Sequence, residues 1–436
     1  MATQVQFRRG STAQVAAATP AAGEIVVNTD KDTVVVGDGS TAGGFELARA
    51  DFNNVGAVSF SADVTFADGA DIITASAGTD NVRIGENAGN SIVSGGTNNV
   101  VIGKDAGTAI TTGVFNTIIG GLAGDALTEG TRNVAFGKDA LTSDTKGSRS
   151  TALGFAALFS QNFTTATDAY NVAVGEQAGL NVITGVDNTL IGALVGDALT
   201  TGSRNVALGR SALSLDTQGS STVAIGFGAL DAQNFTSATD TYNVGVGRSA
   251  GGAVTTGIQN TIAGGLAGDA LTDSDNNVAV GYAALSADTL GSNSVAIGKA
   301  ALNNQNFTTA TDSFNTAVGY EAGLSVTTGQ QNTLVGSLSG DALTVGTRNV
   351  AMGVAALGAD TKGSRSVAIG NAALALQNFT TATDAFNVAV GVDAGTNVTT
   401  GVSNTLIGGN SGDALTTGVS NVAVGTSALT NDTKGQ

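Results

Sequence analysis

The sequence predicts an all-β protein: an elongated parallel β-solenoid, or β-roll, behind a small N-terminal β-domain. Two observations carry the solenoid. The stretch Asn133-Val134-Ala135-Phe136-Gly137 returns at Asn205, Asn277, Asn349 and Asn421, a step of 72 residues each time. Looser copies begin at residues 150, 171 and 188, so one 72-residue block holds four copies at steps of 17, 21, 17 and 17. A fixed short period marks a solenoid, in which each repeat stacks only on its neighbours. The composition agrees. The chain has 63 Gly, 1 Pro, no Cys, His or Trp, and 12% charged residues. So few large side chains cannot fill a thick core, but they suit thin stacked coils.

The N-terminal part differs. Glu24-Ile25-Val26-Val27-Asn28 and Thr33-Val34-Val35-Val36-Gly37 are β-branched runs around the polar turn Thr29-Asp30-Lys31-Asp32. This spacing predicts a β-hairpin within residues 1–50. Residues 51–80 read as a transition. There Val58-Ser59-Phe60-Ser61-Ala62-Asp63-Val64-Thr65-Phe66 alternates with period two, as a half-buried strand does.

From residue 81 to 436 the repeat forms a shaft of 20 copies, anchored at 81, 99, 116, 133, 150 and onwards to 421. The residue four after the anchor is Gly in all 20; the anchor is Asn in 16 and Ser150, Thr222, Ser294 or Ser366 in the rest. Such a Gly suits a positive φ or a close backbone approach. Stacked Asn predicts amide ladders along the axis. The residues one and three after the anchor are mostly Val, Ile, Leu or Phe, and the one between is usually Ala or Thr. They lie on opposite faces of a strand. We expect the larger pair to fill the coil's own core and the small residue to face a neighbouring subunit, which predicts a homotrimer. Helix is rejected throughout, because Gly interrupts every Ala-Leu piece such as Asp139-Ala140-Leu141.

The net charge of −17 shows no basic face for nucleic acid, so the charge is read as keeping a long rod soluble. No apolar run reaches the ~18 residues of a membrane span, and the start has no signal-peptide apolar region. Without His or Cys there is no Ser-His-Asp or Cys-His machinery. Asp125, Asp197, Asp269, Asp341 and Asp413 recur in Gly-Asp-Ala-Leu-Thr and are expected to accept turn hydrogen bonds. No enzyme activity, cofactor or metal is expected.

One feature departs from the 17-residue step. Every fourth coil carries four extra residues, within Gln161–Tyr170, Gln233–Tyr242, Gln305–Phe314 and Gln377–Phe386. Insertions in solenoids map to one face, often the binding face. The candidate exposed lobes are Asn162 and Phe163, Asn234 and Phe235, Asn306 and Phe307, and Asn378 and Phe379. The structural alternative is that Phe163 and Tyr170, which bracket the insertion, pack together and staple it down.

Two resemblances follow. Gln6-Phe7-Arg8-Arg9-Gly10-Ser11-Thr12-Ala13, then Pro20–Thr29 and Val36-Gly37-Asp38-Gly39, is similar to the N-terminal domain of the major tropism determinant family. That implies a trimeric β-rich module near the virion-attached end of a phage tail fibre, docking on a tail or baseplate protein. Asn171-Val172-Ala173-Val174-Gly175-Glu176-Gln177-Ala178 resembles the head repeats of trimeric autotransporter adhesins, which implies three left-handed β-rolls side by side. It departs in its longer coils and in lacking a signal peptide or membrane anchor. The expectation is a structural fibre on the virion, holding a receptor-binding tip outside this chain toward the host surface. The alternative is an adhesive rod, like a bacterial trimeric adhesin, that itself binds surface glycan or protein. A depolymerase tailspike would need carboxylates outside the repeat register, and none stands out. The last coil stops in mid-register without a cap, so the natural fibre is expected to continue or to join a tip protein.

Overall fold

The structure is a computed structural model that describes residues 8–17, 19, 24–29, 33–36, 45–46 and 78–435. The chain divides into two compact units, Met1–Ile72 and Ile73–Gln436. The predicted strand at 58–66 lies outside the described residues.

In the first unit, β1 (Arg8–Gly10), β2 (Ile25–Asn28), β3 (Thr33–Val36) and β4 (Phe45–Glu46) form one sheet in that order. The predicted hairpin is present: β2 and β3 are antiparallel, with Val26 opposite Val35. Their alternation puts Val26 and Val35 on one face, where they are buried with Val15. Val15 comes from a six-residue helix, α1 (Thr12–Ala17), which corrects the rejection of helix throughout. Ser11 and Gln14 close it as a capping box: the Ser11 N–H donates to Gln14 Oε1 at 2.9 Å, and the Gln14 N–H to Ser11 Oγ at 3.4 Å.

The second unit is a parallel β-solenoid. Twenty three-residue strands, from Val82–Ile84 to Val422–Val424, pair in chain order in one parallel ladder. Equivalent residues stack without offset, as Ala135 on Ala152 and Ala152 on Ala173. The rest of each coil is turns, and these stack by backbone hydrogen bonds too: Leu141 N–H donates to the Ala157 carbonyl at 3.0 Å, and Arg132 N–H to that of Val114 at 3.0 Å.

Both sequence signals of the repeat have physical causes here. Gly209 has φ of +128°, and a Cβ there would lie 2.6 Å from the carbonyl oxygen of Gly226 one coil on. The Asn anchors form ladders between the long coils. The Asn99 Oδ1 accepts from the N–H of Asn116 at 3.0 Å and from its amide at 3.1 Å, while the Asn116 amide also donates to the Gly130 carbonyl at 2.9 Å. That last bond ties the end of a coil to its start.

One expectation is reversed. The small residue of each strand faces the coil's own core, and the larger pair faces out. Ala135 is fully buried, whereas Val134 is 37% and Phe136 49% exposed. The lumen is too narrow for two large side chains per level. Where the inward strand residue is large, as at Leu190, the residue six places on is Gly196. A Cβ on Gly196 would meet Leu190 and Leu199, each at 3.0 Å. Where it is Ala, as at Ala135, the partner position holds Leu141. At Ala173 and Gly179 both are small, and Leu158 and Leu190 from the coils on either side fill the space.

The glycine stack gives a direct test. Gly209→Ala combines a left-handed φ with a backbone clash and should cost about 2 kcal/mol or more. Gly121→Ala is the control: its φ is not positive and its Cβ would meet only the Lys104 carbonyl at 3.7 Å. It should stay within about 0.5 kcal/mol. Thermal unfolding followed by circular dichroism measures both.

Candidate functional site

The insertion is built on a buried polar cluster. Eleven residues after each anchor the side chain points into the lumen, giving a column that reads Leu127, Asp144, Gln161, Val182 and then Leu199, Asp216, Gln233, Val254. Every fourth coil thus buries an Asp beneath a Gln in an otherwise apolar column. Gln161 Nε2 donates to Asp144 Oδ2 at 2.6 Å and to Ser150 Oγ at 2.9 Å, and Gln161 Oε1 accepts from the Asn171 amide at 2.9 Å. Asp144 Oδ1 accepts from the N–H groups of Gly147 at 3.0 Å and Phe163 at 3.1 Å. The same set recurs around Asp216 with Gln233, Asp288 with Gln305, and Asp360 with Gln377.

This explains why the anchors of the long coils are Ser or Thr. Ser150 interrupts the Asn ladder, and Gln161 bridges the gap to Asn171. It also fixes the root of the insertion. Asp144 holds the Phe163 N–H, while Lys146 N–H and Thr145 Oγ1 donate to the Phe163 carbonyl at 2.9 and 2.8 Å. Thr167–Asp168 returns as a short strand parallel to Gly147–Ser148.

Phe163, Phe235, Phe307 and Phe379 are therefore not exposed lobe residues, which corrects the expectation. Phe163 is 6% exposed, and the Phe379 ring lies over Gly363, where a Cβ would meet it at 2.8 Å. Asn162 is half-buried and accepts from Thr145 Oγ1 at 3.2 Å; Asn234, Asn306 and Asn378 are exposed and accept from the equivalent Thr. What the lobe presents instead is Thr164, Thr165 and Ala166 at its tip, then Asp168 and Tyr170. Tyr170 is 50% exposed with φ of +50°, and Arg149 lies over its ring at 5.4 Å. Arg149 also pairs with Asp168 at 3.0 Å. The residue in Arg149's place holds the lobe Asp in every block: Ser221 with Asp240, Asn293 with Asp312, Arg365 with Asp384. Arg204 adds to the pair at Asp240, and its hydrogen bond, then that of Ser221, holds that carboxyl below the usual range.

The Asp residues of Gly-Asp-Ala-Leu-Thr lie elsewhere on the coil. Burial pushes the carboxyls of Asp125, Asp197, Asp269 and Asp341 up, against the lowering effect of main-chain N–H donors. Oδ1 of Asp125, Asp197 and Asp269 is buried without a hydrogen-bond partner. Burial likewise raises Asp144, against the bonds from Gln161 and the N–H groups around it. Among the described residues no group of His, Cys, Asp and Glu could hold a metal, and no helix is long and apolar enough to cross a membrane. The sequence signal that marks the buried pair is Asp at the eleventh place of one coil and Gln at the eleventh place of the next.

The comparisons with known proteins speak to the first unit. Residues 5–41 match the major tropism determinant N-terminal domain. Within that domain lie β1, α1, β2 and β3. The chain is also 69% identical over 51 residues to the tail fiber receptor-binding protein of Bordetella phage BPP-1, covering 12% of this chain and 13% of that relative. The chain thus spans about an eighth of the relative's length. No solved structure matches the chain.

Two outcomes test the cluster. Asp144→Asn sets an amide donor against the Gln161 amide and should destabilise by about 1–3 kcal/mol in chemical unfolding. The second concerns pH. A carboxyl raised in the folded state binds protons there more readily than in the unfolded chain, so its contribution is full below the ordinary value of 3.8 and is lost as pH rises through the folded pKa. The melting temperature should therefore climb as pH falls from 7 toward 4. Replacing Asp125, Asp197, Asp269 and Asp341 together by Asn should flatten that slope.

Proposed function

We propose that the chain is a structural tail fibre of a phage, attached to the virion through its N-terminal domain and extending as a shaft toward the host surface. The observation that carries this is the match of residues 5–41 to the major tropism determinant domain, with the 69% identity to a tail fiber receptor-binding protein behind it. The solenoid supports the mechanical part. Its hydrogen bonds run coil to coil for twenty coils, so bending the shaft means breaking many bonds at once. A stiff spacer holds a receptor-binding element away from the particle.

The shaft is a homotrimer in this reading. The outward face of the ladder is a strip mostly of Val, Ile, Leu and Phe, interspersed with Thr, and includes Ile84, Val134, Phe136, Leu208, Ile297 and Ile407. A monomer does not leave so long an apolar strip in water. Three parallel rods that turn their strips toward a common axis cover all three strips in one closed assembly. The rival reading, in which the shaft adheres to host glycan or protein, has the exposed lobe tips in its favour.

Sedimentation equilibrium of the purified chain should give three times 42.5 kDa. Phe136→Glu with Leu208→Glu, which buries charge on the shared face, should yield dissociated chains. Saturable binding of the shaft to host cells would move the reading to the adhesive rod.

A further inference from the structure

We propose that the three chains pack with a stagger of one coil: the leading edge of each strand meets the trailing edge of the neighbouring chain's next coil. The inference rests on the trimeric reading and adds the register within it.

Each outward strip has two edges. The leading edge is the column of residues just before the anchors, all in the left-handed region where they are described, such as Arg149 at φ +62° and Asp187 at φ +59°. The trailing edge is the column just after the stacked glycines, such as Phe155 and Glu176. The two edges lie six residues apart, about 20 Å in extended chain, so they cannot touch within one strand. Around a threefold axis with parallel chains, the leading edge of one chain meets the trailing edge of the next.

The charges on these edges then discriminate among registers. With level coils, Asp80 meets Glu86, Arg132 meets Lys138 and Arg204 meets Arg210: three like pairs and no opposite one. With the neighbour offset one coil the other way, Arg149 meets Lys138 and Asp187 meets Glu176, again like charges. With the proposed stagger, Asp80 meets Lys104, Arg149 meets Glu176 and Asp187 meets Arg210, and no like pair remains. The same stagger sets Arg132 on Phe155, Arg204 on Phe227 and Lys138 on Phe115. Cations over aromatic faces attract, and like charges side by side are costly.

Size makes the same choice independently. The lobe aromatics Tyr170, Tyr242, Phe314 and Phe386 stand on the leading edge of every fourth coil, each about half exposed. The small trailing-edge residues Gly121, Ala193, Gly265, Ser337 and Gly409 recur every fourth coil, and the last four each lie one coil after a lobe aromatic. The stagger puts each ring against one of them. In level register the rings would meet Glu176, Arg248, Tyr320 and Val392. One coil of rise across a strand of this width is a tilt of about 14°, using ~4.8 Å per coil, within the ordinary range for packed strands. The long coil thus has a second role: its aromatic keys the neighbouring chain.

Paired cysteines in the full chain test this. Arg149→Cys with Glu176→Cys should give a covalent trimer on mild oxidation, because a disulfide needs Cα atoms within about 7 Å. Asp187→Cys with Arg210→Cys should do the same. Arg149→Cys with Phe155→Cys reports level register, and Arg149→Cys with Lys138→Cys the opposite stagger. A covalent trimer from either of these overturns the proposal while leaving the trimer intact. A native trimer in which no pairing cross-links also overturns it. A chain that sediments as a monomer or dimer defeats the trimeric reading itself. Charge reversal guards against misfolding of the cysteine variants. Asp187→Arg alone should weaken association by about tenfold or more, with three sites altered at once. Arg210→Asp in the same chain should restore it; failure to restore counts against the stagger.

Discussion

The shaft depends on one constraint: each coil must lie directly over the last, residue upon equivalent residue. Backbone hydrogen bonds between coils impose it at the strand and again around the turns. The anchor Asn imposes it a second time, because its amide closes its own coil while its oxygen receives the next coil's N–H. Once equivalent residues share a column, the sequence is read vertically. A column must be internally consistent or the stack fails, which is why Gly holds all 20 places after the strand. At every one of them but Gly425, in the last coil, a Cβ would press on the next coil's carbonyl, and no rotamer could relieve it.

Columns also explain the alternation of large and small residues. The lumen holds roughly one large side chain per level on the strand side. The inward strand residue and the residue six places on therefore trade volume, Leu190 against Gly196 and Ala135 against Leu141. This close-packed exchange leaves the outward residues free of any duty inside the chain. They are nevertheless large and apolar in nearly every coil. Such a strip suits contact with another long surface, which neighbouring copies supply in the proposed trimer.

Much of this was legible in the residues. Period, coil number, strand position, the turn Gly and the Asn ladder all follow from spacing, because stacking turns a one-dimensional repeat into identical environments. The hairpin at Ile25 and Val36 followed from two β-branched runs about a polar turn. Which face of the strand points inward did not follow. Alternation defines two faces, but choosing between them requires the width of the lumen, and that is set by turns whose left-handed residues, such as Leu141 at φ +54°, carry no residue-type signature. The helix at Thr12–Ala17 was missed because it is too short for a period, although Ser11 and Gln14 spell its cap. Phe163 was misplaced because an insertion was equated with an exposed loop. Phe163 at its root is buried, whereas Thr164–Ala166, Asp168 and Tyr170 are exposed.

The 72-residue block is longer than packing alone requires, since any apolar coil could stack on any other. That interchangeability is itself a hazard. Near-identical coils can stack out of order during folding, with one coil looped out at little energetic cost. The buried Asp and Gln remove this freedom. If the coil of Gln161 were skipped, Asp144 would face the hydrocarbon of Val182 and would lose the Gln161 amide and the Phe163 N–H that it now accepts from. Burying a carboxylate against an apolar wall costs several kcal/mol, more than one coil's contacts recover. The pair contributes little to stability where it is satisfied, yet it makes expensive any stack that sets the Asp against an apolar coil. The same polar pair roots the insertion whose aromatic stands on the outer edge. Order within one chain and, in the proposed trimer, fit between chains are therefore set at the same four levels of the shaft.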